Sequence, residues 1–404
     1  MSYKNKQPNA KTVVSHKSTL FTESVIRGMT RLCNQYDAIN LSQGTPGFEP
    51  PDVVKEAAIN AIRDGYNQYS ITWGGPNLRQ AIAEKVTSFN GIPTDAERNV
   101  TVTCGATEGM MAAMLGIINP GDEVIIFEPF YENYGPDVII SGAKPVFIPL
   151  RDTLYPDGSI GFTYDPDELR DAFGPNTKAI VLNTPNNPLG KVFTHNELQE
   201  IAGLCNEFDC LAVTDEIYEH IIYDGKAHLS IGSLPEMGER TITVSGLSKT
   251  YSMTGWRLGY VIAPEHLSNA IRKVHDFLTV GAPHPLQEAG AVALKLDPTY
   301  YQQLVERYDK NRKKFLELLT EAGFRCFCPE GAYYIMTDIS DFGFSDDTEF
   351  AHWLVEEVGV GGVPGSSFYS RPELGRTKLR FMFSKPLPML DDAGERLMRI
   401  REKI

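Results

Sequence analysis

The chain carries no excess of positive charge: 38 Lys and Arg stand against 52 Asp and Glu, a formal net charge of −14. That balance argues against a nucleic-acid binder, which needs a basic stripe, but leaves room for small anions held by local positive charge. Long apolar runs are also missing, and none approaches the roughly 18 residues of a membrane span. The first stretch, MSYKNKQPNAKTVVSHKSTLF, lacks both an apolar segment and arginine. It is therefore expected to be neither a secretory signal nor a transit peptide. The six cysteines (Cys33, Cys104, Cys205, Cys210, Cys326 and Cys328) match no zinc spacing. A chain of 404 residues needs no disulfide staples, so reduced, mostly buried thiols in a cytoplasmic protein are expected. There is no internal repeat and no low-complexity tract. The length predicts two domains, or one large domain with a satellite.

What is present is a rhythm of short Val/Ile/Leu runs alternating with helical patterns: NVTVTC (99–104), EVIIFE (123–128), AIVLN (179–183), LAVTD (211–215) and TITVS (241–245). Continuous apolar runs of this length suit strands buried on both faces of a parallel sheet. Thr194 and Glu197 form a capping-box pattern ahead of an amphipathic helix between two of these runs. The alternation predicts βαβ units and an α/β domain. From about residue 300 the texture changes. A long charged helical stretch (299–321) leads into FRCFCP, AYYIMTDI and the acidic DTEFAHWLVEEV, which predicts a smaller α+β domain. The boundaries read from the sequence are 50–295 for the large domain, with 1–49 and 296–404 forming the small one. Trp353 is expected in the core.

In open α/β sheets, ligands sit beyond the carboxyl ends of the strands. Polar residues collect where the predicted strands end: Gly105-Ala106-Thr107 opening a helix, Tyr131 after 123–128, Asn187 after 179–183, Asp215 and Tyr218 after 211–214, and Ser245, Ser248 and Lys249 at and after the end of 241–245. Helix-terminal amides with a threonine hydroxyl suit a phosphate. An aromatic plate, an amide, a carboxylate, a phenol and a lysine suit a pyridine aldehyde that condenses with an amine and needs its ring nitrogen protonated. Pyridoxal 5′-phosphate has all of these requirements.

The segment GLSKTYSMTGWRLG (246–259), with NTPNNPLGKVF, VTDEIYEHIIYD, VPGSSFY and LRFMF in order, resembles the class I/II pyridoxal-phosphate-dependent aminotransferases of fold type I. The resemblance covers roughly residues 20–400. AINLSQG and NQY resemble the kynurenine, glutamine and methionine transaminase branch, and aspartate and LL-diaminopimelate transaminases share many of the same blocks. The resemblance implies a mostly parallel seven-stranded sheet in a large domain beside a smaller α+β domain. It also implies a homodimer with shared active sites and ping-pong transfer of an amino group between an L-amino acid and a 2-oxo acid.

By the same resemblance, Lys249 forms the Schiff base and shuttles the proton, and Asp215 partners the pyridinium nitrogen. Tyr218 and Asn187 hold the phenolate oxygen, and Tyr131 stacks on the ring. Gly105, Ala106, Thr107, Ser248 and Arg257 form the phosphate cup, with Ser245 or Ser248 standing in for the serine that many relatives carry where this chain has Gly246. Tyr69 reaches the phosphate of the neighbouring subunit. Arg380 grips the substrate α-carboxylate, Gly44 approaches it, and Asn187 contributes to the same subsite. The same scaffold also supports lyases, cyclases and oxidases. As an effector-sensing module of transcriptional regulators it follows a DNA-binding domain, for which this chain is expected to leave no room. Phe21, Tyr66, Tyr69, Trp73, Phe130, Tyr131, Tyr134 and Phe368 are expected near the mouth, where they would suit aromatic or sulfur amino acids. His220 and His284 are expected to be structural, and no metal is expected.

Overall fold

The computed structural model describes residues 14–154 and 160–403. The N-terminal stretch read above as carrying no targeting signal lies, up to residue 13, outside the described residues.

Seven strands form the main sheet: β1 (Val100–Thr103), β2 (Glu123–Glu128), β3 (Lys144–Pro149), β4 (Thr177–Asn183), β5 (Leu211–Asp215), β6 (Thr241–Gly246) and β7 (Gly259–Ile262). Their spatial order is β1-β7-β6-β5-β4-β2-β3. All neighbours are parallel except β7, which runs antiparallel to both β1 and β6. The runs at 123–128 and 211–215 became strands over those same residues. Two further strands, β3 and β7, were not legible. β3 begins and ends beside prolines, which is tolerable because it sits at the sheet edge, where a missing N–H breaks no ladder.

Helices cover both faces, as buried parallel strands require. Those used below are α1 (Val25–Gln35), α2 (Ala106–Ile117), α3 (Tyr134–Ser141), α4 (His195–Glu207), α5 (Glu265–Thr279) and α6 (Pro298–Glu321). α4 starts with the expected capping box: the Thr194 hydroxyl accepts from Glu197 N, and the Glu197 carboxylate accepts from Thr194 N. One apolar cluster packs α2 and α5 against β2, β4, β5 and β6 through Met110, Met114, Val124, Val213, Val244 and Ile271.

A second sheet, in the order β8 (Arg325–Cys326), β9 (Tyr334–Asp338), β11 (Lys378–Met382), β10 (Val363–Pro364), has its own apolar cluster around Phe315, Phe350 and Phe381. We propose that this sheet, with α1 and α6, forms the small domain (1–49 and 296–404) beside a large domain of 50–295. The separate sheet and the cluster around it support that division. The predicted acidic helix is α-helical over Asp347–Trp353 and widens to a π turn over Leu354–Val358. Trp353 is only partly buried, packed against the rim of the cluster. Of the cysteines, only Cys33, Cys205 and Cys210 are buried. Cys104 and Cys326 are intermediate and Cys328 is exposed, so the expectation of mostly buried thiols holds for half of them; all six are free.

Candidate active site

The register sets the site. Asn183 pairs with Asp215 and Asp215 with Val244, so β4 and β5 end level and β6 runs two residues past them at the same edge. At this edge opens a crevice of about 490 Å³, within the range of small-molecule sites. Gly44, Ala106, Thr107, Tyr131, Asn187, Asp215, Tyr218, Ser248, Lys249 and Arg257 line it.

Asp215 lies at its floor, 8 % exposed. Its carboxylate accepts from the Tyr134 hydroxyl at 2.8 Å and from Ile217 N at 3.1 Å. Burial pushes the carboxyl up to about 6; the Tyr134 and Ile217 hydrogen bonds and the Lys249 charge pull against that rise. Lys249 Nζ donates to the Gly44 carbonyl at 2.8 Å. Burial lowers its ammonium to about 8, with Asp215 opposing and Arg380 and Arg257 reinforcing the drop. The two groups shift toward each other, an acid weakened and an ammonium made easier to deprotonate, as active sites commonly arrange.

One end of the crevice is built for an anion. Gly105 precedes α2 with φ +81°, and no side chain caps the helix. A Cβ at Gly105 would lie 2.4 Å from Arg257 Nη2, so only glycine admits the guanidinium. Uncapped amides, the Thr107 and Ser248 hydroxyls and Arg257 therefore converge. Ser245 does not join them. It stands beside Tyr260, its register partner on β7, and its hydroxyl donates to Glu219 Oε1 at 3.0 Å on the sheet face away from the crevice. Side chains alternate along a strand, so the expectation that Ser245 serves the phosphate cup is corrected and Ser248 is left as the serine.

The other end comes from the second sheet. Arg380 on β11 is fully buried; Nη1 donates to Asn187 Oδ1 at 2.7 Å and Nη2 to the Ser42 carbonyl at 2.5 Å. Among the described residues its Nε is buried without a partner. The guanidinium lies 4.3 Å over the Tyr334 ring and 4.9 Å from that of Phe368. A Cβ on Gly44 would come within 1.9 Å of Tyr334 Oη, so this backbone passes too close for any side chain. Tyr334 Oη also shares a 2.8 Å hydrogen bond with Tyr218 Oη, and Tyr333 Oη donates to the Gly44 carbonyl at 2.9 Å.

Tyr134, Tyr333, Tyr334 and Ser42 are the site residues that sequence reasoning missed, although Tyr134 was expected at the mouth. Tyr134 was detectable as a polar aromatic in the first turn of a helix entering at the ligand edge. The contacts of Tyr334 span 116 residues of chain and leave no local signal.

Tyr69 stands outside this crevice, 85 % exposed. Of the eight aromatics expected at the mouth, only Tyr131 and Tyr134 line it. Phe130 stacks on Phe147, Trp73 lies under Arg272, and Tyr66 meets His284 edge-on. The wall instead carries Ser24, Arg27, Gln43, Thr45, Glu132 and Asn133. His220 is held between the rings of Phe89 and Tyr301, at 4.1 and 4.5 Å, and His284 meets the Gln68 carbonyl. Neither lines the crevice.

The family described as aminotransferase class I and II matches residues 36–393. Kynurenine–oxoglutarate transaminase 1 of Mus musculus is 37 % identical over 394 residues, covering 91 % of this chain and 93 % of that protein. The probable N-succinyldiaminopimelate aminotransferase DapC of Mycobacterium tuberculosis is 36 % identical over 392 residues, covering 95 % and 97 %. The solved N-succinyldiaminopimelate aminotransferase from M. tuberculosis superposes with a TM-score of 0.92 at 36 % identity, covering 96 % of this chain and all of that one. The Escherichia coli protein YbdL, described with a methionine aminotransferase function, superposes at 0.90 with 34 % identity, covering 96 % and 100 %.

Proposed function

The chain belongs to the aminotransferase class I and II family, and from that premise we propose a ping-pong transfer of the α-amino group of an L-amino acid to a 2-oxo acid, with pyridoxal 5′-phosphate held covalently by Lys249. That it is a fold-type I aminotransferase follows from the family and from the structures it superposes on.

The crevice fits the cofactor. The uncapped α2 terminus, Arg257, Thr107 and Ser248 suit the phosphate. Asp215 suits the ring nitrogen, Tyr131 the ring face, and Asn187 and Tyr218 the ring oxygen. With Asn187 Oδ1 occupied by Arg380, its amide nitrogen is the end left to donate. When bound, pyridoxal phosphate supplies the electron sink that acidifies the substrate Cα–H.

The protein's own groups do the rest. Arg380 receives the α-carboxylate, and its unpartnered Nε is one donor left for it. Lys249 Nζ, with its ammonium near 8, is accessible as a neutral amine close to neutrality. It would take the proton from the substrate Cα and hold it for return. Asp215 keeps the proton on the ring nitrogen.

The observation that carries this reading is that Lys249, Asp215 and Asn187 line one crevice, with Arg380 bonded to Asn187. It is tested by adding pyridoxal phosphate to the purified protein and following the absorbance of the lysine-linked chromophore. Single amino acids are then screened for its conversion to the aminated cofactor. Lys249→Ala is expected to abolish the linked chromophore and to lower transfer by about a thousandfold or more. An unchanged spectrum would rule out the anchor. Release of ammonia and pyruvate in place of transfer would assign the chain to elimination chemistry.

We further infer a homodimer. Tyr69, Ile71, Phe277, Leu278 and Val280 are exposed apolar residues in two segments joined by Thr72 and His275. Apolar surface of this kind marks an interface. The polar wall around Arg27 and Glu132 favours amino acids with polar side chains, a donor class the amino-acid screen covers. Among the described residues no helix is long and apolar enough to cross a membrane. The six free thiols support the cytoplasm as the compartment, testable by fractionation.

A further inference from the structure

His275 on α5 is fully buried, and both of its ring nitrogens face acceptors. Nδ1 lies 3.0 Å from each oxygen of Glu108, in the first turn of α2. Nε2 lies 2.9 Å from the carbonyl of Thr72. A carbonyl can only accept, and so can an ionised carboxylate. Glu108 also accepts a hydrogen bond from Cys104 N at 3.0 Å, at the N-terminus of α2. Both bonds form together only if the imidazole carries two protons.

We propose that His275 is a positioning residue that, as a buried imidazolium, clamps the segment around Thr72 to the Cys104–Glu108 loop at the anion end of the crevice. This rests on the functional reading above, in which that loop holds the cofactor phosphate and Tyr69, three residues before Thr72, serves the neighbouring subunit.

Other contacts converge on the same joint. Thr72 Oγ1 donates to Asp276 at 3.4 Å, Cys104 Sγ approaches the Gly281 carbonyl at 3.6 Å, and Arg257 Nη2 meets the Cys104 carbonyl at 3.5 Å. The charged and titratable groups facing His275 are Glu108 from α2 and Asp276 from its own helix; the Cys104 thiol reaches it only through Thr279. Burial opposes the charge, but the Glu108 bond and charge and the Thr72 carbonyl outweigh it and hold the ring above the ordinary histidine value. The clamp is therefore closed below the raised value and opens as pH rises through it, when one of the two donors is lost.

Hydrogen exchange of residues 66–75, measured on the full chain without added cofactor between pH 6 and 10 and corrected for intrinsic rates, reads the clamp directly. Wild-type protection is expected to fall by about tenfold across the transition. His275→Gln, whose N–H donors sit on one nitrogen and cannot replace both Nδ1 and Nε2, should be poorly protected throughout, and Glu108→Gln should move the break down by about one pH unit or more. The dissociation constant for pyridoxal phosphate should rise about tenfold in His275→Gln at pH 7. Protection independent of pH in the wild type, or a break unmoved by Glu108→Gln, would overturn the clamp even if His275→Gln fails to fold. Exchange behaving as expected in a chain that does not bind pyridoxal phosphate would leave the clamp standing and remove the functional reading instead.

Discussion

Asp215 and Lys249 are each held in the ionisation range where they are least comfortable as charges. For Asp215 the folded value of about 6 lies above the ordinary 3.8. Between those values the folded chain binds more protons than the unfolded one, so stability falls as pH rises through that window and the loss is complete above it. A shift of this size costs about 2–3 kcal/mol. Lys249 has its folded value lowered from 10.5 to about 8, so stability rises with pH between 8 and 10.5. Cofactor-free Asp215→Asn should accordingly melt about 2–5 °C above the wild type at pH 8, with the gap closing below pH 4, while amino transfer falls at least about a hundredfold. Calorimetry across pH, with a transfer assay beside it, checks both halves; equal melting at pH 8 would contradict the shift. This pair was legible from sequence because a lysine among small residues and an acid at a strand end are local signals. Ser245 was misread because the face a strand residue occupies depends on register, which one sequence does not state.

At the scale of elements, the site depends on the second sheet approaching the ends of the first. Tyr334, hydrogen-bonded to Tyr218 beyond the end of β5, marks that approach, and Gly44→Ala would drive a methyl into the Tyr334 hydroxyl. The variant should fold, since Gly44 is not at positive φ. It should displace Tyr334 from under Arg380, raising KM for the amino acid by about tenfold or more. Tyr334→Phe, which keeps the ring and removes the 2.8 Å bond to Tyr218, should be milder, and steady-state kinetics on the two variants would separate crowding from the lost bond. The capping box on α4 offers a contrast. Glu197 takes Thr194 N at 2.7 Å and Lys191 Nζ at 2.7 Å, remote from the crevice. Glu197→Ala should cost about 1–2 kcal/mol in urea unfolding with kcat/KM unchanged. Elements of this kind were readable because their signals are short-range: a threonine three residues before a glutamate, or five buried β-formers in a row. The short β7, GYVI, and the proline-flanked β3 carry too few residues of pattern to stand out from the helices and loops around them.

For the whole molecule, the exposed apolar ridge of Ile71, Phe277, Leu278 and Val280 predicts self-association. Phe277, 91 % exposed, is the most exposed apolar side chain on it. Phe277→Glu should shift the sedimentation coefficient from dimer to monomer at micromolar concentration, with loss of transfer activity if Tyr69 serves the partner's site. A variant that sediments with the wild type would remove this face from the interface. The α/β class and five of the seven strands were foreseeable from alternation and composition. How the second sheet meets the first was not, because that contact joins residues nearly two hundred apart, such as Arg380 and Asn187.

The direction of β7 has one more consequence. The chain leaves β6 at Gly246 and returns into β7 at Gly259, and those two glycines face each other across an antiparallel ladder reinforced by Leu247 N to the Leu258 carbonyl. Everything between is a loop pinned at both feet, with Lys249 near one foot and Arg257 near the other. New termini opened at its crown by circular permutation would leave each group tied to its own strand, and the permuted enzyme would report how much of the grip on a ligand belongs to the crown and how much to the two anchored feet.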